Sequence, residues 1–295
     1  MLLLADSGST KTEWRVVKSS GKTVREFKTQ GFNPYFKSPE QIKNDLLSQL
    51  GDQIPSLEQV FFYGAGCAHP QKAGELAKVL DEVFEATLPS EVHGDILGAA
   101  RSLFQDQPGI ASILGTGASS CVYDGHGISG TVPSLGYILG DYGSGAVLGR
   151  EFVRLLLSEK LPAELTQEFY DRFSMDRVSI LDRIYKYSFP NRFLASFIPF
   201  IHQHREVPAV KELILDSFIQ FFQYYILPFR SKGVESKLAF TGSVAYHFRE
   251  SLVEAAHQLG EAIDTIQSKP LDGLVKFHCG EVEWGVEELA RKSRD

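Results

Sequence analysis

Residues 5–14 read ADSGSTKTEW. One carboxylate, Asp6, ends the apolar run Leu2–Leu4 and opens a turn of glycine and hydroxyl residues, Ser7, Gly8, Ser9 and Thr10, followed by Lys11. Such a turn lets backbone N–H groups converge on an anion, because glycine allows close approach and positive φ. Asp6 cannot itself hold a phosphate. It can hold a hydrated Mg²⁺ that bridges the phosphates of a nucleotide, or it can simply stabilise the turn. Lys11 either faces phosphate or lies solvated on a strand. Two more segments repeat the device without the acid. They are LGTGAS, with Gly115, Thr116 and Gly117, and FTGSVA, with Gly242 and Ser243. One glycine-rich turn is ordinary punctuation between strands. Three of them, two opening similar stretches of chain and one opening a late strand–helix unit, point to phosphate binding.

Turns of this kind need strands to hold them. Leu2–Ala5 is a short apolar strand; TEWRVV alternates, and TVREFKT alternates again after a turn with Gly21 at its tip. SPEQIKNDLLSQL predicts a helix, with Ser38 as N-cap, Pro39 in the first turn and apolar residues at helical spacing. EQVFFYG predicts a buried strand, PQKAGELAKVLDEVFE an amphipathic helix, SEVHGD a short strand and ILGAARSLF a helix. From about residue 109 the pattern restarts as three strands around a Gly/Thr/Ser turn and a glycine turn. A helix-rich stretch runs from 143 to 229. KLAFTGSVA then gives a strand and a Gly-Ser turn, with a helix from about 245 and a weaker strand in EAIDTIQS. The expectation is an α/β chain built by internal duplication, two βββα-type halves with a cleft between them.

Two glycine motifs do not fit that scheme. GKT at 21–23 lacks the P-loop's first glycine, because Val16 stands there. GSGAVLG at 143–149 has the wrong spacing for a dinucleotide fingerprint, and no strand directly precedes it. Both read as turn and helix-packing glycines.

A chain of 295 residues with 43% hydrophobic and 23% charged content suits a soluble globular protein of about two domains. A formal net charge of -7 argues against a nucleic-acid binder. Cys67, Cys121 and Cys279 form no CxxC pair, which predicts free thiols in a reducing compartment. MLLLAD lacks the charged start and apolar length of a signal peptide. LILDSFIQFFQYYILPF is interrupted by Asp216, Gln220, Gln223 and Pro228, short of the roughly 18 apolar residues of a span. It reads as a buried helix whose Phe218, Phe221, Phe222 and Tyr225 pack in a core. The expected location is the cytoplasm, with no membrane partner. The eight histidines show no metal-binding spacing.

DSGSTKT, LGTGAS and FTGSVA resemble the two phosphate motifs and the adenosine motif of one superfamily. LGDYGSGAVLGR (Leu139–Arg150) resembles its Gly-Asp-x-Gly-Ser stretch, GFNP (Gly31–Pro34) its sugar-binding asparagine segment, and YGAGC (Tyr63–Cys67) its glycine-rich strand end beside the sugar. On these motifs nearly the whole chain resembles the sugar kinase/actin/Hsp70 ATPase superfamily. More narrowly it resembles the N-acetylglucosamine kinase-like branch, grouped with the BadF/BadG/BcrA/BcrD ATPases. Ser7 and Ser9 depart from glycines common in the first motif.

The resemblance implies two RNase H-like domains hinged about a cleft. Residues 1–108 with about 280–295 would form the N-terminal domain, and 109–279 the C-terminal domain with a helical insertion. EWGVEELARKS would be the last helix, packed back on the first domain. The implied reaction is ATP-dependent phosphorylation of an amino sugar, with N-acetylglucosamine the first choice and domain closure excluding water. Asp95, at the end of the EVH strand, would be the general base; its bland alternative is a helix cap. Asp6 would hold Mg²⁺, through water. Ser7 to Lys11, Gly115 to Gly117, Gly242 and Ser243 would bind ATP. Asn33, Gly66, Cys67, Ser119 and Asp141 would bind sugar, with Ser120 and Tyr142 nearby. The alternatives are a loop residue for Asn33, a small buried residue for Cys67 and a helix N-cap for Asp141. Oligomeric state is open, relatives being commonly dimers. Two other functions remain: an ATPase that activates a partner enzyme, and a nucleotide-binding regulator without turnover.

Overall fold

Leu3, Leu4 and Ala5 are fully buried because β1 (Leu2–Ser7) is the central strand of a sheet covered on both faces. The computed structural model of the chain describes residues 1–50 and 54–280. These fall into two compact units. The first comprises residues 1–107 and the described residues from Pro270 on; the second comprises Pro108–Lys269.

In the first unit β1, β2 (Lys11–Val17) and β3 (Thr23–Gln30) form an antiparallel meander. β4 (Gln59–Gly64) and β5 (Glu91–Gly94) then add in parallel on the other side of β1, giving the order β3-β2-β1-β4-β5. Period-two alternation divides the side chains. Leu3, Ala5, Trp14, Val16 and Phe62 pack under α1 (Pro39–Leu50) and α2 (Pro70–Phe84). Leu4, Val17, Phe61 and Tyr63 face the opposite side, against α14 (Leu271–Cys279), which packs beside α3 (Asp95–Phe104). Trp14 anchors the first face. Its indole N–H donates to Thr29 Oγ1 at 2.8 Å and its ring stacks on Phe27 at 5.8 Å, so its polar atom is satisfied while its area is buried.

The second unit repeats the plan. β6 (Gly109–Leu114), β7 (Ala118–Tyr123) and β8 (Ile128–Thr131) form the meander; β9 (Leu238–Thr241) and β10 (Thr265–Gln267) add in parallel, in the order β10-β9-β6-β7-β8. Between β8 and β9 run α4 (Gly136–Leu139), α5 (Gly145–Leu157), α6 (Ala163–Phe173), α7 (Arg177–Tyr185), α8 (Pro190–Ala195), α9 (Ile198–Gln203) and α10 (Pro208–Phe221). A π-helical turn, Phe222–Ile226, joins α10 to α11 (Leu227–Arg230); α12 (Ser243–His247) and α13 (Arg249–Gln258) follow β9. Phe218, Phe221 and Phe222 are fully buried in this unit's core. Among the described residues no helix is long and apolar enough to cross a membrane.

Two sequence expectations change, and a third is not reached. The helix placed from about 245 begins at Ser243, directly after Gly242. The chain re-enters the first unit at Pro270, not near 280, because Leu271, Leu274 and Val275 bury against the first sheet. The helix expected over EWGVEELARKS lies outside the described residues.

Candidate active site

In the first unit the parallel strands β1, β4 and β5 end at one sheet edge, the place where ligands bind in open α/β sheets. Asp6 pairs in register with Tyr63, and Tyr63 with His93; one step on, Ser7 pairs with Gly64, and Gly64 with Gly94. Asp95 follows at once as the first residue of α3. Two carboxylates from residues 89 positions apart in sequence thus reach the same edge, on the α3 face.

Asp6 carries unusual electrostatics. Burial, then the charges of Asp95 and Glu13, push its pKa up to about 7, with Lys11 opposing. Glu13 sits directly across from it in the β1–β2 register, a like-charge placement that is unfavourable unless a cation relieves it. Glu13 takes Lys11 Nζ at 2.9 Å and Lys28 Nζ at 3.7 Å. The Asp6 carboxylate makes no hydrogen bond among the described residues. Burial also raises the pKa of Asp95, against the amide of Ile96, which donates to Asp95 Oδ1 at 2.9 Å. The cap of α3 is Gly94, without a side-chain bond, so Asp95 serves the helix through its first-turn amide while its carboxylate stays at the edge.

A half-buried, donor-free carboxylate among other anions suits a hard divalent cation. Among the described residues no cluster of three or more His, Cys, Asp or Glu could hold a metal alone. Mg²⁺ takes one or two protein carboxylates and completes its shell with water and phosphate. Asp6 is the residue that would hold it.

The turn after Asp6 is tied down tightly. Gly8 N–H donates to the Lys11 carbonyl at 3.0 Å and Gly31 N–H to the Thr10 carbonyl at 3.0 Å. Ser7, expected at phosphate, points its hydroxyl inward: Oγ lies 2.8 Å from Thr12 Oγ1 and accepts Phe32 N–H at 3.2 Å. Gly8 and Thr10 are exposed, Ser9 half-buried, and Lys11 reaches into solvent beside Glu13. A Cβ on Gly31 would collide with the Gly8 carbonyl and stand 2.9 Å from the Ser9 backbone. We therefore expect Gly31→Ala to cost about 1–3 kcal/mol of stability, read as a lower midpoint in urea.

The sugar candidates of this unit also converge. Gly66 has φ +82°, and a Cβ there would run into the Asn33 side chain. Asn33 Oδ1 accepts Tyr35 N–H at 3.0 Å, so the side chain both shapes its loop and touches Gly66. Cys67 is buried with its thiol pushed up to about 12, by burial and then by the charge of Asp95. It is a neutral packing group beside the acid.

In the second unit the turn between β6 and β7 sits on the start of α5. Gly145 N–H donates to the Gly115 carbonyl at 2.8 Å and Ala146 N–H to the Thr116 carbonyl at 3.1 Å. Gly117 faces Asp141: a Cβ on it would be 3.2 Å from Oδ2. Asp141 is buried, and burial raises its pKa while the Ala118 amide lowers it. It is not the N-cap of α5. Ser144 is, accepting Val147 N–H at 3.2 Å. Ser119 is half-buried on β7; Ser120 is fully buried, bonded to Ser112 Oγ at 3.0 Å and so internal. Tyr142 stacks on Tyr224 at 4.8 Å. Gly242 has φ +113°, and a Cβ would strike the Leu114 carbonyl; Ser243 next to it is exposed.

Three features escaped sequence reasoning: Glu13 opposite Asp6, Gly31 under the first turn, and the hydroxyls of Ser217 and Tyr225 behind Asp141. Only Glu13 left a signal, since strand register from the Gly8 turn places it across from Asp6.

No family model matches the chain, and neither does any curated protein. Solved structures do. A putative N-acetylglucosamine kinase from Porphyromonas gingivalis is 42% identical, covering 95% of this chain and 99% of that one, with a TM-score of 0.90. A putative N-acetylglucosamine kinase from Chromobacterium violaceum, 19% identical over 94% and 98% of the two chains, superposes with a TM-score of 0.71. A ROK family glucokinase from Streptomyces griseus, in complex with glucose and AMPPNP, is 16% identical over 94% and 97%, with a TM-score of 0.58. The last two establish the two-domain sugar kinase/actin-like ATPase fold. With the first of these relatives matched along nearly its full length, the chain belongs to the family of the putative N-acetylglucosamine kinases.

Proposed function

We propose that this protein is an ATP-dependent kinase of an amino sugar, N-acetylglucosamine first, transferring phosphate to its primary hydroxyl. The observation that carries this reading is the delivery of Asp6 and Asp95 to one strand edge, where the charge of Asp95 helps to raise the pKa of Asp6. Phosphoryl transfer needs positioning and electrostatic stabilisation, plus a group that orients and deprotonates the acceptor alcohol. Magnesium, when bound, supplies positive charge at the phosphates. Asp95 accepts the acceptor's proton on its carboxylate, fixed in direction by the Ile96 amide. Burial makes it a stronger base than an ordinary carboxylate once it is ionised. The backbone amides of the turns at 8–10, 115–117 and 242–243 cradle the nucleotide, whereas the Ser7 side chain serves the fold. Asn33, Gly66, Cys67, Ser119 and Asp141 contact the sugar. The narrower placement with the BadF/BadG/BcrA/BcrD ATPases is part of this proposal. So is a cytoplasmic location, which three cysteines outside any disulfide suit.

The test is ADP release measured with ATP, Mg²⁺ and a panel of hexoses and amino sugars. The expected result is release that depends on one amino sugar and is low without it. Release indifferent to every sugar, or raised only by a second protein, overturns the reading.

A further inference from the structure

Asp141 has φ 54°, a left-handed conformation that strains a residue other than glycine. Something must hold it there. Its N–H donates to Tyr225 Oη at 2.9 Å, and Gly143 N–H donates to Ser217 Oγ at 3.0 Å. Gly140 lets the chain come this close, since a Cβ on it would stand 3.2 Å from Tyr225 Oη. Tyr224 grips the neighbouring Tyr142 by stacking. The loop before α5 thus lies flush on one continuous face, made by the end of α10 and the π-helical turn.

That face exists because of the π turn. In a regular α-helix, residues eight apart diverge by about 80°. The wider turn over Phe222–Ile226 absorbs the surplus rotation, so Ser217 and Tyr225 meet the same loop. Such turns are uncommon and recur at functional sites. Tyr225 is itself immobilised, buried and stacked on Phe221 at 4.9 Å with 6° between the planes. The Asp141 carboxylate is meanwhile set against Gly117.

We propose that the π-helical turn is a positioning device for Asp141, with Tyr225 holding its backbone so that its carboxylate meets the sugar. This rests on the sugar role given to Asp141 above. Tyr225 and Ser217 are positioning residues, acting through Asp141.

Steady-state kinetics with N-acetylglucosamine test it. Tyr225→Phe keeps the ring, its stacking and its volume, and removes one hydroxyl. The expected result is an N-acetylglucosamine KM raised about tenfold, the value of a buried hydrogen bond, with the ATP KM changed less than about twofold. Ser217→Ala should shift the same parameter in the same direction and serves if the tyrosine variant folds poorly. On an Asp141→Asn background, Tyr225→Phe should add nothing. An unchanged sugar KM in Tyr225→Phe, beside a raised one in Asp141→Asn, overturns the positioning role alone. An unchanged sugar KM in Asp141→Asn removes the sugar role of Asp141 and the device with it. Equal losses for both substrates with a lowered melting temperature mean a purely structural tyrosine and overturn the proposal. No turnover of N-acetylglucosamine by the unaltered protein overturns the reading on which it rests.

Discussion

Asp95→Asn should reduce sugar-dependent ADP release by about a hundred- to ten-thousand-fold, the range of a positioned base, and leave ATP affinity nearly intact. Asparagine matches the size of the acid, and its Oδ1 can still accept the Ile96 amide that now reaches Asp95 at 2.9 Å. The start of α3 is therefore preserved, and the loss reports the missing proton acceptor. Removing the charge also relieves Asp6, for which Asp95 is the second cause of a raised pKa. The measurements are single-turnover rates and nucleotide affinity by calorimetry. Full activity in the variant would take Asp95 out of the base role. A comparable loss of ATP binding would make it a structural residue of the strand edge.

Asp6→Asn should abolish the magnesium response and yet make the metal-free protein more stable at alkaline pH. Folding raises the Asp6 pKa from the ordinary carboxylate range to about 7, so the folded state prefers the protonated acid. That preference favours folding fully below about pH 4 and is lost as pH climbs through about 7. Above that, the ionised group is a cost, which asparagine never carries. We expect the variant to gain about 1–3 kcal/mol at pH 8 and about a third of that at pH 5. Melting temperature against pH in a chelator checks this. Added Mg²⁺ with ADP should raise the melting temperature of the unaltered protein at pH 8 and not that of the variant. A variant less stable at pH 8 would mean that Asp6 holds the strand edge together and is no cation ligand.

The strands and turns were legible because they obey short-range rules. Alternation over TEWRVV and TVREFKT yielded β2 and β3, and glycine with hydroxyl residues marked the turns at 8–10 and 115–117. The restart near residue 109 foretold the matching strand orders of the two sheets. Strand-end placement marked Asp6 and Asp95, because a period-two strand ending at a helix start leaves its last residues at the edge. Side-chain commitments were not legible. Ser7 and Ser120 look like ligands in their motifs, yet each hydroxyl is buried and must bond within the protein. A helix cap was the alternative role for Asp141, yet Ser144, which the motif did not single out, caps α5.

Read alone, the amino-acid string settles the α/β duplication, the three turns of glycine and hydroxyl residues and the two acids at strand ends. The turns and the acids follow from patterns spanning at most a dozen neighbouring residues, and the duplication from their recurrence near residue 109. Folding in three dimensions settles the rest. Asp6 becomes a proton-hungry carboxylate, α14 joins the first unit, and a tyrosine on a π-helical turn grips Asp141 from 84 residues away. Burial and partner choice at those places are sums over many distant contacts, and no local stretch of chain carries them.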